Sequence, residues 1–141
     1  MKIKTALVKR LEGLTLVGKT ESEHWLVMDA AREAGGAGAS IRPKEMLLLS
    51  LAGCTSMDVV SILQKKRTPL RDYEMHVRAD LEDDVHPHVY SKIHLEYVFF
   101  GEGVRESDVE QAIELSQKKY CGVTAMLRPA VEITHSYRIE P

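Results

Sequence analysis

The sequence has no run of basic residues long enough to grip a phosphate backbone; 19 Lys and Arg stand against 21 Asp and Glu, a formal net charge of −2. That excludes nucleic acid as a partner. It has no secretory leader pattern, because residues 1 to 10 alternate and carry charge without an apolar core segment. Its glycine cluster, Gly35, Gly36 and Gly38, lacks the Lys-Ser/Thr ending of a phosphate-binding loop. No internal repeat and no linker divides the chain. It has only two cysteines, Cys54 and Cys121. Without a leader, a cytoplasmic location is expected, and in that reducing compartment two cysteines do not form a structural disulfide. They are free thiols, metal ligands or a redox pair. With 44% hydrophobic and 28% charged residues in 141, the composition predicts one globular domain over 1–141.

What the sequence does have is one long apolar stretch, from Arg42 to Arg67. Pro43 suits the first turn of a helix, where a missing N–H is no loss. From Met46 to Leu63 apolar residues fill nearly every face, which predicts a helix buried on most sides. Lys65, Lys66 and Arg67 suit a helix C-terminus, and Thr68-Pro69 stops it. By length the run could pass for a membrane span. Ser50, Thr55, Ser56, Asp58 and Ser61 inside it argue against that, so no membrane partner is expected.

Around this helix the alternation of apolar and polar residues predicts strands. Residues 2–9, 14–20 and 24–29 form an antiparallel meander, with turns at Glu12-Gly13 and Glu21-Ser22-Glu23. Residues 30–40 form a flexible loop into the helix. After Pro69, residues 71–81 and 89–100 form a hairpin across an acidic turn, Glu82-Asp83-Asp84. Ser107 is a candidate N-cap for a helix running to Tyr120. A kink then leads into a second short helix from Cys121 to Leu127, and residues 130–139 form a last strand. Runs of strands followed by helices predict an α+β fold.

The chemistry could lie in three places. Cys54 and Asp58, four residues apart, share one face of the central helix. Burial would raise the Cys54 pKa, and an ionised Asp58 would raise it further, so a reactive Cys54 needs a cation. Arg10, Arg42 and Lys44 are the candidates. Asp58 could equally be a hydrogen-bond anchor to Ser61, Ser50 or a basic residue. Cys121, at a helix start beside Lys118 and Lys119, is expected to have a lowered pKa. The alternative is that both thiols are small buried hydrophobes. His86-Pro87-His88 could bind zinc with His94, His24, Cys54 or Cys121, but as a solvated turn it needs no metal. No metal and no cofactor are therefore assigned. His76 and His135 fall at alternating strand positions, on the surface or at the edge of the core.

Pro43-Lys44-Glu45-Met46, Gly53-Cys54, Asp58 to Leu63, Lys119 to Val123 and Ile133 to Tyr137 together resemble the OsmC/Ohr superfamily, in particular its YhfA-like branch. The resemblance covers essentially the whole chain in order. It implies an α+β intertwined homodimer: N-terminal antiparallel strands, a buried central helix, a β-hairpin, a second helix pair and a C-terminal strand. It implies a thiol-dependent peroxidase for small organic hydroperoxides. Cys54 would be the attacking thiol, passing through a sulfenic acid, and Cys121 would close a Cys54–Cys121 disulfide. A dithiol or lipoyl donor would restore the pair. Arg10 and Glu45 would be the activating pair. Two positions depart from the family pattern. Lys44 stands where the family's Glu directly follows the proline, and the hairpin from Glu12 to Thr20 has no Arg. The rival reading is a binding protein that holds a hydrophobic ligand in the dimer cleft without catalysis.

Overall fold

The computed structural model describes residues 1–141. The fold is α+β, with two three-stranded sheets and three α-helices. Its contacts divide into two compact units, Met1–Leu47 and Leu48–Pro141.

The first unit is the expected meander. Strands β1 (Ala6–Glu12), β2 (Thr15–Thr20) and β3 (Trp25–Met28) pair antiparallel in chain order. The first strand starts four residues later than its alternation suggested, at Ala6, where Thr20 first offers it a partner. Val8, Gly18 and Leu26 share one row, and Arg10, Leu16 and Met28 another two residues on. These rows fall on one sheet face, because side chains alternate along a strand. Val8 and Leu26 remain exposed there, at 55% and 44%.

The connection from β3 is not the loose tether that its glycines suggested. Asp29, only 2% exposed, organises it. Its carboxylate accepts from the Ala30 N–H (2.7 Å), the Ala39 N–H (3.1 Å) and the Thr15 hydroxyl (2.9 Å). A 3₁₀ turn over Arg32–Ala34 and Gly35 at φ 90° complete the bend. Helix α1 (Pro43–Lys65) follows. Glu45, the third residue of the helix, caps its start: its carboxylate accepts from the Arg42 N–H at 2.8 Å, closing the first turn.

In the second unit, β4 (Asp72–Glu82) and β5 (Val89–Phe100) form the expected hairpin. Strand β6 (Glu132–Glu140) lies on the other side of β5 and runs parallel to it. A parallel partner needs a long crossover. Helix α2 (Glu106–Leu115), a π-helical turn over Ser116–Tyr120, and helix α3 (Gly122–Leu127) supply it. The cap of α2 is Arg105, and Ser107 lies inside the helix; the Arg105 guanidinium ties back to Asp108 at 2.6 Å.

The core forms where α1 and α2 meet the sheet. Leu51, Val59 and Leu63 of α1 pack with Ile93, Leu95, Tyr97 and Phe99 of β5 and with Val109, Ala112 and Ile113 of α2. The buried residues of α1 are Leu51, Ala52, Thr55, Val59 and Leu63, a single stripe at helical spacing. Burial on most sides is therefore not what one chain provides: Leu49 is 61% exposed and Met57 76%. The helix is long and apolar enough to cross a membrane by length and composition, yet this stripe makes it the core helix of the second unit.

Candidate active site

The two thiols come together. Cys54 is half-buried on the core side of α1, and Cys121, 4% exposed, caps α3. Both are free. Cys54 packs against the core cluster that contains Cys121, near enough to help raise the Cys121 pKa. The separation of 67 positions in sequence is closed by the crossover that returns the chain from β5 to the α1 face.

The π-helical turn sets where Cys121 falls. The Cys121 N–H donates to the Ser116 carbonyl at 2.9 Å, a bond spanning five residues rather than four. The chain then becomes extended at Cys121 and starts α3, where the Cys121 sulfur accepts from the Thr124 N–H at 3.4 Å.

The expectation of a lowered Cys121 pKa is overturned. Burial pushes this thiol up, and the neighbouring Cys54 adds to the rise, outweighing the opposing bonds from Thr124. The two lysines counted on to lower it are engaged elsewhere. Lys118 pairs with Glu114 at 2.8 Å, and Lys119 lies over the Tyr120 ring. The Thr124 side-chain oxygen is buried beside the Cys121 sulfur and, apart from its approach to that sulfur, has no hydrogen-bond partner.

Asp58 finds neither Ser50 nor Ser61. Its carboxylate accepts from the Ser116 hydroxyl at 2.9 Å. That hydroxyl is also 2.7 Å from the Thr55 hydroxyl, which is 2.6 Å from the Tyr97 phenol. The Gln117 amide donates to the phenol at 2.8 Å, and Arg128 donates to the Gln117 side-chain oxygen at 3.1 Å. Thr55, Tyr97, Ser116 and Gln117 are all buried. Sequence reading missed all of these except Asp58. The available signal was weak: a Thr and a Ser inside apolar helical stretches need partners when buried.

Arg10 and Glu45 belong to the first unit. Arg10 projects from exposed β1 and makes no ion pair, and Glu45 is held by the Arg42 N–H rather than by a guanidinium. The Arg42 guanidinium donates to the Ser40 carbonyl at 2.8 Å. An apolar groove of about 270 Å³ lies on the first sheet, lined by Val8, Leu26, Met28 and Met46 among others.

His86 and His88 stack on each other at 4.2 Å, and both ring nitrogens of His94 are occupied by the Thr134 and Ser136 hydroxyls. No group of three His, Cys, Asp or Glu side chains gathers to hold a metal ion.

Residues 35–136 match the family model described as OsmC-like protein. The chain is 39% identical over 134 residues to the protein YhfA of Escherichia coli K12, covering 95% of this chain and 96% of that one. Among solved structures, a hypothetical protein from Aquifex aeolicus VF5 aligns over the full length of both chains at 31% identity with a TM-score of 0.81. An organic hydroperoxide resistance protein OsmC from Legionella pneumophila shares the fold at 16% identity, with a TM-score of 0.70 over 97% of each chain.

Proposed function

The chain belongs to the OsmC-like family, and from that premise we propose that it is a thiol-dependent redox protein that reduces organic hydroperoxides. The observation that carries the proposal is the meeting of Cys54 and Cys121 at one edge of the core, near enough for Cys54 to help raise the Cys121 pKa. The more accessible thiol, Cys54, is the one that meets peroxide. Cys121 is buried and holds its proton, which suits the thiol that acts second.

In this reading the Cys54 thiolate attacks the terminal peroxide oxygen. The O–O bond breaks, Cys54 takes the terminal OH as a sulfenic acid, and the alkoxide takes from solvent the proton that Cys54 released on ionising and leaves as the alcohol. The Cys121 sulfur then attacks the Cys54 sulfur; a disulfide forms and water leaves. An external dithiol or lipoyl donor gives up two electrons and two protons by exchange, restoring both thiols. Roles for Arg10 and Glu45 as an activating pair rest on the family resemblance alone.

The protein acts in a cytoplasm, where two unpaired thiols stay reduced, and it acts as a homodimer. Leu47 and Leu49 on α1, 46% and 61% exposed, support the dimer together with Met57 at 76%. A groove along the same helix, lined by Ser56, Met57, Val60, Ser61 and Gln64, offers a seat for a second copy. Apolar surface of this extent is the mark of an interface. Light scattering at micromolar concentration is expected to give twice the chain mass, and a monomer there contradicts the dimer.

The function is tested by following consumption of cumene hydroperoxide with a dithiol donor. Wild type should turn over and Cys54→Ser should not. Equal rates in the two proteins would remove the peroxidase reading and favour the rival, a hydrophobic-ligand protein.

A further inference from the structure

The buried hydroxyls beside the thiols form a chain whose direction follows from counting protons. Asp58, as a carboxylate, can only accept, so the single Ser116 proton goes to it, at 2.9 Å. Ser116 must then accept from Thr55, at 2.7 Å. Thr55, its one proton spent, must accept from the Tyr97 phenol at 2.6 Å. Burial pushes the Tyr97 pKa up, so the phenol has its proton to give. The phenol oxygen accepts from the Gln117 amide at 2.8 Å, whose second proton points to Thr55 at 3.4 Å. The orientation of that amide is fixed in turn, because Arg128, which only donates, reaches its oxygen at 3.1 Å. One directed chain therefore runs from a cation, Arg128, through Gln117, Tyr97, Thr55 and Ser116 to an anion, Asp58. Every step has one allowed sense, and the charged ends polarise the bonds between them.

This chain crosses between the backbone segments that carry the two thiols. Thr55 directly follows Cys54, and the Ser116 carbonyl holds the Cys121 N–H at 2.9 Å. The Thr55–Ser116 bond is thus a tie between the turn of α1 that bears one thiol and the π-helical turn that sets the other. We propose that Thr55 and Ser116 are positioning residues that hold Cys54 and Cys121 in disulfide-forming register, with Tyr97, Gln117, Arg128 and Asp58 fixing the direction of the tie. The proposal rests on the reading of the two cysteines as a redox pair, but it does not depend on peroxide as the oxidant.

The test is the equilibrium between the reduced pair and its disulfide in dithiothreitol redox buffers. Two thiols give two electrons and two protons to oxidised dithiothreitol, and the constant reports their effective concentration. Thr55→Val keeps the shape of the side chain and removes the hydroxyl. Ser116→Ala cuts the chain at its next member and serves if the first variant does not fold. Each is expected to weaken the disulfide at least about tenfold, a potential about 30 mV less negative. Thr55→Ser loses a methyl group but keeps the tie, and should stay within about twofold of wild type. A purely structural role would lower the stability of both redox forms and leave this constant unmoved. Unchanged constants in Thr55→Val and Ser116→Ala overturn the proposal, as does a Thr55→Ser shift equal to that of Thr55→Val. A wild type that forms no disulfide in these buffers overturns both the redox reading and this inference. A normal disulfide equilibrium without peroxide turnover removes only the peroxidase reading.

Discussion

Cys121 is the thiol whose surroundings are most fully specified. Its sulfur accepts from the Thr124 N–H at 3.4 Å, and the otherwise unpartnered Thr124 hydroxyl is buried beside it. Both donors act against the rise imposed by burial and by Cys54. A donor waiting beside a thiol is most useful once that thiol becomes a thiolate, as Cys121 must when the disulfide is opened at Cys54. Replacing Thr124 with Val keeps the volume and removes the donor. In a Cys54→Ser background the pH midpoint of Cys121 alkylation should then rise by about half to one unit, worth about 0.7–1.4 kcal/mol. An unmoved midpoint would show that the hydroxyl does not serve the sulfur. At this scale the sequence makes the two cysteines and Asp58 legible, because a thiol or a carboxylate in an apolar helix is conspicuous. It leaves Thr55, Tyr97, Ser116 and Gln117 hidden. Each is an ordinary residue in its own element, and only the fold brings the four within bonding distance. Asp29 is hidden for the same reason, since its partners Thr15 and Ala39 lie on either side of it in the chain.

Elements defined by periodicity are the most legible. The alternation in 89–100 gives β5 its true ends, and Pro43 marks the start of α1. Two features escape. The parallel pairing of β6 depends on a crossover, which alternation cannot reveal. The π-helical turn adds one residue to a helix without changing its composition, so sequence shows at most a kink before Cys121. That added residue has a consequence. Deleting Lys118, an exposed residue of the turn, should let the helix close with ordinary four-residue bonds. Four residues at about 100° each still complete one turn, so Cys121 keeps its place over Ser116 and its N–H keeps the Ser116 carbonyl. The thiols should stay together, and oxidised dithiothreitol should still join them on mass analysis while the far-ultraviolet circular dichroism stays near wild type. A deletion variant in which both thiols remain free would show that the extra residue itself is needed to place the thiol.

For the whole molecule, the raised Cys121 pKa carries a pH signature. The unfolded thiol loses its proton near the ordinary value of about 8.5. The folded thiol holds its proton to higher pH because it is buried beside Cys54. The folded state therefore binds more protons in that window, and stability falls as pH rises through it. The contribution is fully present below the ordinary thiol value and is lost as pH climbs to the folded one. The urea midpoint of the reduced protein should begin to decline above about pH 8.5, and Cys121→Ala should flatten that decline up to about pH 10. Beyond that the buried phenols Tyr73 and Tyr97, both pushed up by burial, begin to contribute in the same direction. A Cys121→Ala profile identical to wild type below pH 10 would mean that the thiol is not coupled to the fold. The central claim, that the two thiols act together on a hydroperoxide, is reached most directly by one measurement. Reduced wild-type protein is mixed with one equivalent of cumene hydroperoxide, quenched with an alkylating agent and weighed intact by mass spectrometry. The account predicts a protein that takes up no alkyl group and has lost two hydrogens, with Cys54 and Cys121 joined in one peptide. Two alkylated thiols and unconsumed peroxide would contradict it.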